Sequence, residues 1–204
     1  MNENKFTEKD SLELISQMIQ QTKQNLQVGS GNILLYYGYL ATFISVIVYG
    51  LCEYTNNMHW HYLWFIMFII MPIHSKSKPH VVTYIDKAIS SVWKVISLLF
   101  ILTVLTNIGL GLLIGCMPFT LMMPLSLLYV GIGTSITGVI TKDKSMIYTP
   151  ALCFILSIYM LGVLATGGHP TLLWNLLGGL SFFTMLVIPG HILNNKISKS
   201  CSKN

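Results

Sequence analysis

Six apolar runs separated by short polar connections organise the chain, at residues 33–51, 58–73, 95–115, 119–140, 146–165 and 172–193. An α-helix rises about 1.5 Å per residue and the hydrocarbon core of a bilayer is about 30 Å thick, so about 20 apolar residues make one crossing. The second run is short. Even carried on to His74 it reaches only about 25 Å as an α-helix, so it must thin the bilayer, recruit polar flanks or border a cavity. The fifth run is near the minimum and opens on Thr149 and Pro150, where proline in a first helical turn costs little. The pattern predicts an all-α fold: a polytopic transmembrane bundle of six spans over 32–193, preceded by a polar segment, 1–31, and followed by a basic tail, 194–204.

Within the polar N-terminal segment Leu12, Ile15, Met18 or Ile19, and Leu26 recur at near-helical spacing after Asp10 or Ser11 as an N-cap. This spacing predicts an amphipathic interfacial helix, which either anchors to the membrane surface or docks on a cytoplasmic partner. The segment lacks the succession of basic, apolar and small residues that marks a cleaved signal peptide. A second amphipathic stretch, 81–94, lines up Ile85, Ile89 and Val92 ahead of the third run.

Composition agrees with a lipid solvent: 53% of the 204 residues are hydrophobic and 9% charged, with a mean hydropathy of +0.64. Charge placement then orients the bundle. All twelve basic residues are lysines, and they fall before the first run (Lys5, Lys9, Lys23), between the second and third (Lys76, Lys78, Lys87, Lys94), between the fourth and fifth (Lys142, Lys144), and in the tail (Lys196, Lys199, Lys203). The positive-inside rule puts those four regions in the cytoplasm, with both termini. The net charge of +5 reads as orientation and attraction to anionic inner-leaflet lipid. Direct nucleic-acid binding is not expected, since no arginine is present for bidentate base contacts.

No run contains Asp, Glu or Arg, which argues against a proton-coupled carrier. There is no HExxH helix, Walker lysine, GxSxG elbow or CxxC pair, so no catalytic residue is assigned and no enzyme is expected. No cofactor is expected either, because the histidines stand at the ends of runs, where a b-type haem cannot be ligated within the membrane. The polar groups inside the runs are Asn107, with Thr103 and Thr106, and Asn175. Both asparagines fall in the outer half, below a rim of His59, His61, His169 and Glu53. These six residues form either interhelical hydrogen bonds or an outward-open ligand pocket. His59, His61 and His169 are also an alternative zinc-type ligand set. Cys52 and Cys116 both stand near the outer face and would bridge only if their Cα atoms approach within about 7 Å. Glycines at 109, 111 and 115, at 131, 133 and 138, and at 178 and 179 predict a tight bundle or a homo-oligomer face.

Through Thr83, Tyr84, Ile85, Asp86 and Lys87 with Val92 and Trp93, and through 188–193 (Ile-Pro-Gly-His-Ile-Leu), the chain resembles a family of small bacterial six-span membrane proteins without an assigned activity. The resemblance extends from the amphipathic N-terminus to the tail. It implies a multi-pass protein of the bacterial inner membrane, encoded beside winged-helix regulators, and hence a cytoplasmic regulatory partner. Two functions follow as expectations: a non-enzymatic membrane sensor or regulatory partner, or a channel or carrier for a small neutral or organic solute.

Overall fold

A computed structural model describes residues 12, 13, 15, 16, 30–67, 70, 84–115 and 119–201. Among them there are helices and turns but no strand. The helices are α1 (Ser30–Thr55), a 3₁₀ helix (Met58–Phe65), α2 (Tyr84–Ile114), a 3₁₀ turn (Phe119–Leu121), α3 (Met122–Thr141), α4 (Lys144–Tyr148), α5 (Pro150–Ala165), α6 (Leu173–Phe182), a π turn (Phe183–Val187) and α7 (Ile188–Cys201). Among the described residues five helical segments are long and apolar enough to cross a membrane: Leu34–Thr55, Lys87–Ile114, Phe119–Thr141, Lys144–Ala165 and Leu173–Asn195. Most of the second predicted run, with Pro72 and His74, lies outside the described residues. Leu12 and Ile15 are helical and exposed, and the rest of the N-terminal amphipathic pattern also lies outside them.

Two details differ from the sequence reading. The stretch 84–94 and the third run are one 31-residue helix, α2, because nothing between them breaks the helix. The second run opens in 3₁₀ geometry, which rises about 2.0 Å per residue against about 1.5 Å, so eight residues gain about 4 Å. That partly offsets the shortness read from its length.

Antiparallel packing orders the bundle. Against α1, Gly38 lies beside Leu186 and Val187, and Thr42 reaches Gly179. Farther along, Asn107 of α2 meets Met122 of α3, and Trp93 and Ile96 meet Gly133. Between α3 and α5, Gly131 meets Phe154, and Ser157 donates to the Pro124 carbonyl at 2.6 Å. Two ends result. At one lie Ser30, Lys87, Lys142, Lys144 and the tail; at the other lie Thr55, the 3₁₀ helix, Ile114, Phe119 and the turn holding His169. The segment through α6 and α7 is the centre, 56% buried over its most apolar window, whereas α2 is the periphery at 11%. Trp174, Phe182, Met185 and Leu127 form the core between these helices.

Local chemistry sets the ends. Lys142 adopts the left-handed region (φ 56°), and the Asp143 N–H bonds the Gly138 carbonyl at 2.9 Å, which closes α3 as a Schellman motif. Asp143 then caps α4 by accepting from the Ser145 N–H (3.0 Å) and hydroxyl (2.8 Å). Gly138 permits the tight hairpin, since a Cβ there would meet Met146 Cβ at 2.7 Å. The π turn precedes Pro189, whose missing N–H cannot serve the Met185 carbonyl; the Ile188 N–H bonds Phe183 instead.

Candidate functional site

The 3₁₀ helix has three residues per turn, so residues three apart stack along one edge. One edge carries His61 and Trp64 toward α1 and α6. The other carries His59, Tyr62 and Phe65: the His59 ring stacks on Tyr62 at 6.0 Å, and Tyr62 and Phe65 meet Phe119 edge-on at 6.4 and 6.3 Å. Asn57 starts the helix, its Oδ1 accepting the His59 N–H at 2.9 Å.

The His61–Trp64 edge closes on Asn175 of α6, which is 3% exposed and lies on the inner side of the bundle. Asn175 Nδ2 lies 3.1 Å from His61 Nε2, and Trp64 Nε1 donates to Asn175 Oδ1 at 3.4 Å. His61 Nδ1 stands 3.0 Å from the Met58 carbonyl and 3.6 Å from Cys52 Sγ of α1. Ser45 of α1 donates to the Asn175 main-chain carbonyl. One turn on, Thr42 donates to the Gly179 carbonyl at 3.3 Å.

Protonation in this cluster is determined by the groups with one role only. An indole nitrogen can only donate, so the Asn175 oxygen faces Trp64 and its amide hydrogens face His61. A carbonyl can only accept, so Nδ1 carries the His61 proton toward Met58. His61 Nε2 is then a bare acceptor. The cluster is satisfied by neutral imidazole in this one tautomer.

The predicted pocket is therefore brought together only in part. His61 and Asn175 are joined, with Trp64, Cys52 and Ser45 added. His59 points to the aromatic edge, His169 lies exposed in the turn before α6, and Glu53 is exposed on α1. Asn107 belongs to the α2–α3 pair: its Nδ2 donates to the Thr103 carbonyl at 2.8 Å, its sulfur contact is Met122 at 3.8 Å, and its Oδ1 is buried without a hydrogen-bond partner. Thr103 and Thr106 return their hydroxyls to their own helix, at the Leu99 and Leu102 carbonyls, which removes them as ligand donors.

Among the described residues no three His, Cys, Asp or Glu side chains gather as a metal site. The His-x-His pair cannot chelate because a 3₁₀ helix turns its members onto different edges. Cys52 is a free buried thiol, and Cys116 lies outside the described residues. Glycines 131, 133, 138, 178 and 179 meet neighbouring helices of the same chain, while Gly109 and Gly115 face open space.

Comparison with known protein families, with curated proteins and with solved structures found no match.

Proposed function

We propose that the protein is a six-span sensor or regulatory partner in the bacterial inner membrane, with both termini cytoplasmic and the His61–Asn175 cluster at the outer end as its input. The chain's own path supports the sixth span. Phe65 packs beside Phe119 at the histidine end, whereas α2 starts at the lysine end, so Phe65 and Tyr84 stand at opposite ends. Asn32 and Asn194 are hydrogen-bonded at 3.0 Å, which sets the start of α1 beside the middle of α7 and supports an even number of crossings.

The observation that carries the sensing reading is the continuity of α1. This unbroken 26-residue helix holds Ser45 and Cys52 in the outer cluster and leads, at its other end, directly from the N-terminal amphipathic segment. A change at the cluster acts on a rod of about 39 Å that reaches the cytoplasmic surface. A conduit is less well supported, because the polar groups between α1 and α6 are engaged with each other and Asn107 lies on a different helix pair.

The test is affinity purification of full-length protein and of a chain lacking 1–27, with partners quantified by mass spectrometry. A cytoplasmic protein retained by the first and lost from the second is expected. Identical protein partners for both, with the segment contacting lipid alone, would remove the regulatory reading.

A further inference from the structure

The polar cluster has a property beyond cohesion: the hydrogen bond that joins the 3₁₀ helix to the Asn175 amide nitrogen depends on His61 having no proton on Nε2. Imidazole is the side chain that gains a proton between neutral and mildly acidic conditions. A proton on Nε2 would face the amide hydrogens of Asn175 at 3.1 Å, donor against donor. Rotating the amide by half a turn would restore an acceptor to His61 but would present the same hydrogens to Trp64 Nε1, which has no acceptor capacity. Either arrangement sets one N–H of the cluster against another, and Asn175 Nδ2 keeps only its longer bond to the Leu172 carbonyl at 3.5 Å.

Few other groups face the ring. From α1 the group facing the ring is the Cys52 thiol, with exposed Glu53 beside it in sequence; from α6 it is the uncharged Asn175. On its own helix, His59 is turned onto Tyr62. The exposed His169 precedes α6, and residues 30–67 and 166–195 contain no Lys or Arg.

We infer that His61, Asn175 and Trp64 form a proton-operated latch: neutral His61 holds the 3₁₀ helix against α1 and α6, and protonation at Nε2 releases it. The reaction is a proton taken from water on the outer side, with no covalent change. The latch deepens the sensing reading and rests on it for its purpose only. Cys52 supplies an internal reporter, because its thiol is 1% exposed beneath the His61 ring and becomes accessible when the 3₁₀ helix lifts.

The experiment uses the full chain in sealed membrane vesicles with a membrane-impermeant maleimide, and reads modification at Cys52 by peptide mass spectrometry. The reference is a Tyr54→Cys variant, a site 91% exposed and outside the cluster; the ratio of the two rates cancels the reagent's own pH dependence. Between about pH 8 and about pH 5 that ratio is expected to rise about tenfold, the change in population that loss of one buried hydrogen bond produces. His61→Gln, which keeps an acceptor but cannot titrate, is expected to hold it flat. Trp64→Phe removes the competing N–H, lets Asn175 rotate to serve the imidazolium, and is expected to blunt the rise. A flat ratio in the unmodified chain overturns the latch, as does an equal rise in His61→Gln or an undiminished one in Trp64→Phe. No cytoplasmic partner enters this assay, so its failure leaves the purification result standing, and failure of the purification leaves the latch standing.

Discussion

Replacing Gly179 by alanine tests whether α1 and α6 are held by the contact described. A Cβ at Gly179 would collide with Ser45 Oγ and would stand 2.7 Å from Ser45 Cβ. Both atoms belong to one short side chain with no flexible end to move aside. The helices must therefore separate, at an overpacking cost of about 1–3 kcal/mol. Separation also breaks the Ser45 bond to the Asn175 carbonyl, and interhelical bonds of this kind in membranes contribute about 0.6 to 1.7 kcal/mol. The expected loss is about 2–5 kcal/mol in total. Because the collision is with Ser45 alone, Ser45→Gly should rescue it: the double variant forfeits the hydrogen bond and about 1 kcal/mol of helix propensity, yet escapes the overlap. Reversible unfolding of purified protein in mixed detergent and dodecyl sulfate micelles measures all four chains of the cycle. A coupling of at least about 1 kcal/mol in favour of the double variant is expected for residues in contact. Strict additivity, or a Gly179→Ala chain as stable as the parent, would refute the packing argument.

Three further outcomes follow from other contacts. Asn175→Leu leaves the His61 and Trp64 groups unpaired and should cost about 2–3 kcal/mol in the same titration, whereas Asn107→Leu removes an already unpaired oxygen and should stay within about 1 kcal/mol; the reverse order would contradict the assignments. Gly138→Ala meets main-chain atoms, Ile147 N at 2.9 Å among them, and should destabilise by about 1–3 kcal/mol, while Gly109→Ala, with nothing within 4 Å, should stabilise by about 0.5–1 kcal/mol through helix propensity. In right-side-out vesicles an impermeant maleimide should label Tyr54→Cys and Thr166→Cys at once but Lys144→Cys only after permeabilisation, and labelling of all three from one side would invalidate the two-ended arrangement.

The all-helical fold and its apolar segments were legible in the sequence because lipid imposes a strict length and polarity on each helix. Pro150 marked the start of α5, and the lysine clusters separated the two ends. Asn175 and His61 were visible as polar residues in apolar surroundings. Their connection was not, because a His-x-His pair reads differently in α and 3₁₀ geometry; the period of three in His59, Tyr62 and Phe65, alongside His61 and Trp64, was the signal available. Ser45 is not legible as an interhelical donor, since serine in a membrane helix ordinarily bonds its own backbone, as Ser97 does to Trp93. Thr42 and Ser45, three apart and both against Gly179, are the clue that it does not. The π turn was hidden because Pro189 announces a disturbed helix without stating its form.

The hydrogen bond between Asn32 and Asn194 has an electrical consequence. It sets Asn32 beside Asn194, and the sequences beyond them differ in charge: residues 1–29 carry four acidic side chains and three lysines, a net of −1, while 196–204 carry three lysines and no acidic side chain, a net of +3. Two segments joined to neighbouring residues have a mutual effective concentration of about millimolar, whatever the concentration of the protein, and ionic strength screens the attraction between charges of opposite sign.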